Sequence, residues 1–522
     1  MSVLTSSIGS VWRLVCEPAR RRLEQALRRP QQAQARVFER LLSAGSRSAF
    51  GREHGLHRVR SLADFREAVP VRDYDAHLPW IRRLQSETDR DVLTSGAVEA
   101  FERSSGSSAA CKWIPITPAL RSEFAEAVRA WMGNLHRCHP RAMRGPAWWL
   151  VSPLPPAEAT PTGIPVGINS DDEYLGAWER RMAPLFLAVP PRLAGVQNIE
   201  ESMDLTLRFL LHAPDLRMIS VWNASYLLLL WRRLLAHGEP LLESLSRGGE
   251  ALGRRLEAMP DRAARLRAHQ QDGTLTPGMV WPNLALLSSW DSADLRETKA
   301  LFPDVAFQAK GLLATEGVVT IPWDDDEGAC VPALNSHLLE FEESGGRVVS
   351  AHELEQGGDY GVILTTGGGL WRYRLGDNLR AEGRCGATCR LRFMGRNDGV
   401  SDLRGEKLHP QMVATVLRQL TVEFAMLAPD HDRYTLFAST DQARHAGTVD
   451  LALQDNPHYA LCRANGQLGP VRLFHVQEDG RAACLRRVLA EGGRPGTAKS
   501  PALSSHDGWE RHFRGHFVET NS

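Results

Sequence analysis

Residues 101–117, FERSSGSSAACKWIPIT, set Ser104, Ser105, Ser107 and Ser108 around Gly106 and follow them with Lys112. Clustered hydroxyls, a glycine that lets the backbone come close and several N–H groups aimed at one point make a cradle for a polyphosphate, to which a lysine adds a point charge. The Gly-Lys-Ser/Thr of a hydrolytic P-loop is absent, and a plain surface turn can share this composition, so the stretch needs partners elsewhere in the chain.

Partners of the right chemistry follow in order. In GLLATEGVVTIP, residues 311–322, the Thr315 hydroxyl suits a phosphate oxygen and the Glu316 carboxylate suits Mg²⁺, although an ordinary Thr-Glu pair at a strand end reads the same. In YGVILTTGGGLWRYRLGD, residues 360–377, a glycine turn joins two strands and the second ends on Asp377, whose two oxygens can accept from a ribose diol. Tyr373 is expected there as a strand-packing residue, and Arg372 and Arg374 as solvated charges. FMGRNDGVSDLRGEKLHP, residues 393–410, places Arg396, Asp398, Arg404 and Lys407 between glycines, which suits a hinge or a linker. GTAKSP, residues 496–501, holds Lys499 in a turn, where by itself it reads as a surface lysine.

The elements that must position these residues are legible in part. Two helices are expected over 11–44, interrupted at Pro30, then an extended segment and a helix over 69–84, with strands before and after the Ser-rich loop. From Pro118 an amphipathic helix carries Phe124, Val128 and Trp131 on one face, more simply as core than as ligand contacts. A loop or short hairpin follows over 153–167, a strand over 218–221, a buried helix over 225–235 and helix over 241–268. Strands are expected at 286–288, 305–310 and 318–321. Alternating strand and helix predict an α/β body. Past Gly395 the pattern restarts with a turn-rich link at 397–405, a helix from Pro410 and strands at 434–438 and 449–453. The predicted domains are 1–395 and 396–522, with a hinge at about 396–405.

The chain has 522 residues, 43% hydrophobic and 24% charged, enough for large buried cores. Lys+Arg and Asp+Glu both number 62, so the net charge of +0 argues for neither a nucleic-acid nor a membrane partner. The 8 cysteines are scattered without a disulfide framework, as in a cytoplasmic protein. Cys385 with Cys389, and His136 with Cys138 and His139, lack the second ligand pair of a zinc site. No apolar signal core opens the chain, and the greasiest run, 226–231, is too short to span a bilayer.

Taken in order, these stretches resemble the acyl-acid-amido synthetases of the auxin-responsive Gretchen Hagen 3 family, within the luciferase-like acyl-adenylate-forming superfamily. FERSSGSSAACKWIPIT is similar to the family's phosphate loop, with Lys112, Pro115 and Thr117 trailing it, GLLATEG to its second nucleotide motif and TTGGGLWRYRLGD to its third. GRNDGVSDLRGEKL resembles the superfamily's hinge and GTAKSP its C-terminal motif with the catalytic lysine. VPVRDY, residues 69–74, and WPNL, residues 281–284, are typical surroundings. The resemblance implies a large N-terminal α/β adenylate-forming domain with β-sheets flanked by helices, plus a smaller, mobile α+β C-terminal domain. It implies the cofactors ATP and Mg²⁺, small-molecule partners (a carboxylic acid and an amine such as an amino acid) and a monomer.

On the same resemblance, Ser104, Ser105, Gly106, Ser107 and Lys112 would hold phosphates, Ala314 would line the nucleotide, Thr315 would hold a phosphate, and Glu316 would take Mg²⁺ and serve catalysis. Asp377 would bind ribose with Arg396 nearby, and Lys499 would stabilise charge on the α-phosphate. The acid would be adenylated to acyl-AMP and then passed to the amine. The chain departs from the pattern at Ala109 and Ala110, where glycine is usual, at Leu313, where an aromatic would stack on adenine, and at His409 after the hinge. Two rivals stay open. An acyl-CoA ligase would use a thiol acceptor, and a catalytically weak binding protein would retain only the fold.

Overall fold

A computed structural model describes residues 2–86, 91–104, 112–150, 158–167, 186–196, 198–222, 224–290, 295–324, 328, 330–401 apart from 397–400, then 403, 404, 406, 408–464, 466–490, 500–504 and 506–518. The chain divides into two compact units. One comprises Met1–Trp222, Leu230–Asp291 and Glu297–Phe393, the other Asn223–Leu229, Ser292–Arg296 and Met394–Ser522.

In the first unit, helices Ser2–Arg28 and Pro30–Gly45 meet where expected. Pro30 is the first helical residue, where its missing N–H costs nothing, so it starts a helix rather than breaking one. The helix Pro118–Cys138 lies at the centre, capped by the Thr117 hydroxyl, which accepts from the Leu120 N–H at 3.1 Å. It buries residues around most of its circumference, Glu123, Phe124, Val128 and Trp131 among them, because helix Ser2–Arg28 packs on it as well. Gly133 makes that approach possible: a Cβ there would lie 2.8 Å from the Arg20 Cβ and 2.9 Å from the Cys16 carbonyl oxygen.

The sheets supply the working ends. The hairpin Ala100–Ser104/Lys112–Ile116 brings Ser104 opposite Lys112 and so closes the Ser-rich loop. Strands Ala147–Trp149, Met218–Ser220, Leu286–Ser289 and Ala306–Ala309 form a wholly parallel sheet. A seven-stranded sheet follows, containing strands Asp359–Thr365 and Tyr373–Cys385. The mixed α/β architecture, sheets flanked by helices, is as expected.

Three element predictions fail locally. The strand after the glycine turn does not end on Asp377 but runs over Tyr373–Cys385. Residues 241–268 are not one helical stretch: Glu239–Arg247 ends at Gly248 with φ +69, and a hairpin, Gly249–Ala251/Arg254–Leu256, precedes helix Pro260–Gln271. The paired glycines admit the left-handed turn that helical spacing on either side conceals. Residues 449–453 belong to helix Arg444–Leu453, not a strand. Ala446, Val449 and Leu453 are buried three and four residues apart, a helical spacing that the short run VDLAL does not reveal.

In the second unit, strands Ala425–Asp430, Arg433–Ala438, Arg472–Val476 and Gly515–Phe517 form one sheet. Tyr434 and Leu436 pack into one apolar cluster with Leu408 and Tyr459, while Phe437 joins Phe474, Trp509 and Phe513 in another, as strand alternation requires. Among the described residues no helix is long and apolar enough to cross a membrane.

Candidate functional site

Within the first unit, three of the stretches singled out in the sequence meet through their side chains. Lys112 Nζ lies 3.3 Å from the Tyr373 hydroxyl, and that hydroxyl donates to Glu316 Oε1 at 3.2 Å. Tyr373 and Glu316 are buried, at 0% and 4% exposure. A lysine at the foot of the Ser-rich loop, a phenol from the long strand and a carboxylate from the Thr-Glu turn thus form one polar chain. Lys112 also rests over the rings of Tyr74 and Tyr373, 5.8 and 5.9 Å from their centroids. The Tyr74 hydroxyl accepts from the Trp113 N–H at 2.7 Å, which draws the 69–74 stretch into the same wall.

The turn carrying Glu316 is the tightest kind of hairpin. Leu313 pairs with Val318 and Ala314 with Gly317, so Thr315 and Glu316 are the two residues of the bend. Its seat is a buried network. His337 Nε2 accepts from the Val318 N–H at 3.0 Å, and its Nδ1 therefore donates to Glu123 Oε2 at 2.9 Å. Glu123 Oε2 also accepts from the Gly367 N–H at 2.9 Å, and Arg40 donates to Oε1 at 3.2 Å. Thr117 completes the tie by donating to the Gly367 carbonyl at 2.8 Å. Side chains on the glycine turn would collide: a Cβ on Gly367 would lie 2.7 Å from the Ala119 Cβ, and one on Gly368 2.8 Å from the Pro115 oxygen.

Asp377 is buried and sits in a β-bulge. Ile363 pairs with Arg374 and Gly361 with Asn378, so residues 375–377 oppose Val362 alone, and Gly376 takes φ +89. A bulge turns a side chain out of the regular pleat, a usual way to aim a functional group. Next to Tyr373, His77 is held neutral by burial, its pKa lowered to about 4. Its Nε2 accepts from the Trp371 N–H at 3.2 Å and its ring meets Tyr373 edge-on at 5.7 Å.

Sequence reasoning misplaced Arg372 and undervalued Tyr373. Arg372 is not solvated: it is buried, with Nε 2.9 Å and Nη2 3.2 Å from the two oxygens of Glu340, and it donates to the Arg66 and Val69 carbonyls. Its φ of +45 interrupts the alternation that would have sent it to solvent. Arg374 is exposed and pairs with Glu342 at 2.7 Å. Glu123 and His337 carried no local signal, since a glutamate on an amphipathic helix and a lone histidine before a strand are commonplace. Tyr373 was visible only as one of the residues between the glycine turn and Asp377.

Ser104 ends its strand opposite Lys112, Arg396 is the last residue of strand Thr388–Arg396, and His409 caps helix Pro410–Leu417, accepting from the Gln411 N–H at 3.3 Å. Ser105, Gly106, Ser107, Ser108, Ala109, Ala110, Asp398, Lys407 and Lys499 lie outside the described residues. Among the described residues no group of three or more His, Cys, Asp or Glu side chains forms a metal cage. Glu316 nevertheless fits a magnesium ion, which is commonly held by one or two carboxylates with substrate phosphates and water supplying the rest.

Profiles of the GH3 family match the chain in series: its N-terminal domain over residues 19–306, its central domain over 331–396 and its C-terminal domain over 411–507. A human GH3 domain-containing protein is 25% identical over 317 residues, 54% of this chain and 59% of the human one, so the match spans less than two thirds of that relative. A probable indole-3-acetic acid-amido synthetase of Oryza sativa subsp. japonica is 24% identical over 474 residues, 80% of this chain and 73% of the rice protein. The solved structure of the acyl acid amido synthetase GH3.15 covers 95% of each chain with a TM-score of 0.82 at 17% identity, so the two share a fold.

Proposed function

Starting from a chain that belongs to the GH3 family, we propose that this protein is an ATP-dependent acyl-acid amido synthetase, an acid–amino acid ligase that releases AMP. A carboxylate oxygen of the acid attacks the α-phosphorus of ATP and pyrophosphate leaves with the electrons of the broken P–O bond. The amine nitrogen of an amino acid then attacks the acyl-adenylate carbonyl, AMP departs and an amide remains. The observation that carries this reading is the Lys112–Tyr373–Glu316 chain, which joins a cation, a phenol and a carboxylate from three nucleotide-type motifs.

In this reading Ser104, Ser105, Gly106 and Ser107 cradle the β- and γ-phosphates, and Lys112 offsets their charge as pyrophosphate separates. Ala314 and Thr315 line the nucleotide, Asp377 accepts from the ribose diol and Arg396 stands near it. Tyr373 aims Glu316 by donating to one oxygen, leaving the other for magnesium. The ion, when bound, supplies Lewis-acid stabilisation of phosphate charge. Residue Lys499 stabilises the α-phosphate during adenylation, on a second domain of about residues 396–522 that moves on a hinge at about 396–405. The enzyme works as a cytoplasmic monomer.

Acid-dependent exchange of labelled pyrophosphate into ATP is the test. Label should return to ATP with some acid of a broad panel, and Lys499→Ala should suppress it. No exchange with any acid would overturn the adenylation step, and a thioester formed with coenzyme A in place of an amide would overturn the acceptor.

A further inference from the structure

On the parallel sheet, Trp149, Ser220, Ser288 and Gln308 stand in one row as register partners, so their side chains share a face. The central helix covers that face with Trp131, whose indole N–H donates to Gln308 Oε1 at 2.8 Å and whose ring lies 5.9 Å from Trp149. Ser220 Oγ, Ser288 Oγ and Gln308 Nε2 are all buried and have no hydrogen-bond partner among the described residues. A buried donor left unsatisfied is costly, so a row of them calls for an acceptor.

Two residues beyond the row, where the strands end, stand Trp222, Trp290 and Lys310. Lys310 is only 8% exposed, and its Nζ lies 4.2 Å from the Trp222 ring centroid and 5.9 Å from that of Trp131. The Trp222 and Trp290 rings are 5.2 Å apart, and the Trp290 indole N–H donates to the Gly311 carbonyl at 3.2 Å. Ligands of open parallel sheets bind at the carboxyl ends of the strands, which is the end these residues occupy. Among the described polar groups of this face the ammonium and the amide N–H₂ only donate, the two hydroxyls donate or accept, and the Gln308 Oε1 is already taken by the Trp131 indole. Flat indole rings stand around them, Trp222, Trp290 and Trp131.

We infer that this tryptophan-walled row is the specificity site for the far end of the acyl substrate, and that it selects carboxylic acids whose tail carries acceptor oxygens, with Lys310 as the principal determinant. The inference rests on the adenylation reading and deepens it. Strand Ala306–Ala309 runs into Lys310 and then into the Thr315–Glu316 turn, so Lys310 and Thr315 are at most about 17 Å apart along the chain. An acid whose carboxylate is activated near that turn and whose tail runs back along the strand reaches Lys310 first and the Gln308–Ser288 row beyond it.

The experiment compares matched acids in pyrophosphate exchange: pentanoate, levulinate and glutarate, and benzoate, monomethyl terephthalate and terephthalate. Wild-type protein should favour the acceptor-bearing members of a series by about tenfold or more in kcat/KM, since a site built to hydrogen-bond a group rejects the analogue lacking it. Preference for glutarate and terephthalate assigns the tail a charge; preference for levulinate and the ester assigns it a neutral carbonyl. Lys310→Met keeps the length and apolar stem, and should collapse the ratio through KM, while Lys310→Arg restores part of it. Ser288→Ala, a smaller change to the fold, should lower the same ratio. An unchanged ratio in folded Lys310→Met and Ser288→Ala, or a wild-type preference for pentanoate and benzoate, overturns the inference while leaving adenylation intact. Should no acid support exchange, calorimetric titration of the same acids separates the two readings. Tighter binding of the acceptor-bearing acids, lost in Lys310→Met, retains the site without the adenylation, and equal binding overturns both.

Discussion

Tyr373→Phe removes a single hydroxyl from the centre of the site. The ring, fully buried between His77 and Lys112, stays in place, so no large cavity opens and the loss falls on polar contacts of the hydroxyl, those to Glu316 and from Lys112 among them. The bond to Glu316 Oε1, at 3.2 Å, ends on a carboxylate and is worth about 1.5–3 kcal/mol. The contact from Lys112, at 3.3 Å, is long and contributes about 0.5 kcal/mol. The sum of about 2–3.5 kcal/mol corresponds to a fall of roughly 30- to 400-fold in pyrophosphate exchange if the hydroxyl orients Glu316 during adenylation. The same change should raise the magnesium concentration needed for half-maximal exchange, because Glu316 loses its fixed rotamer. Exchange kinetics across a magnesium series, with thermal unfolding alongside, make the measurement. Exchange within about threefold of wild type, with unaltered magnesium dependence, would refute the placing of Tyr373 and Glu316 together in the adenylation site.

Three other outcomes are expected. Glu123→Ala leaves His337 Nδ1, the Gly367 N–H and Arg40 without their shared acceptor, and should cost about 3–5 kcal/mol in denaturant unfolding, with Glu123→Gln milder because one acceptor oxygen remains. Glu340→Leu strands the buried Arg372 and removes the partner of Arg66, and should destabilise by a similar roughly 3–5 kcal/mol, part of it recovered in the Glu340→Leu/Arg372→Met pair, in which Arg66 still lacks its carboxylate. His77, whose pKa burial lowers from 6.5 to about 4, stays neutral in the fold while the unfolded chain takes up a proton; its stabilisation is complete above pH 6.5, falls away as the pH drops toward 4, and amounts to about 3 kcal/mol. Unfolding curves across that range should therefore flatten in His77→Gln, and an unchanged pH slope would show that His77 is not the group responsible.

Chemistry written into short contiguous stretches is legible in the sequence. A Ser/Gly loop between two β-prone runs, a Thr-Glu pair beside glycines and a glycine turn leading to an aspartate are local patterns, and local backbone preference is what forms them: the hairpin at Ser104 and Lys112, the two-residue bend at Thr315 and Glu316, and the turn at 367–369. The helix from Pro118 is equally readable, since Thr117 and Pro118 mark its start and apolar spacing marks its length. The hairpin hidden at 249–256 and the helix over 444–453 are not, because glycine pairs and short apolar runs are ambiguous until a neighbouring layer selects one conformation.

By itself the sequence determined which residue types stand in which local turn, and so the family. Tertiary structure alone decided which of them touch. Tyr373 acquires a role because the long strand passes between Lys112 and Glu316, residues 261 and 57 positions away, and Glu123 and His337 are joined across 214. Arg372 is inside rather than outside because one positive φ turns it toward Glu340. Contacts across such separations are set by how layers pack and how buried polar groups find partners, a global condition that no window of neighbouring residues contains.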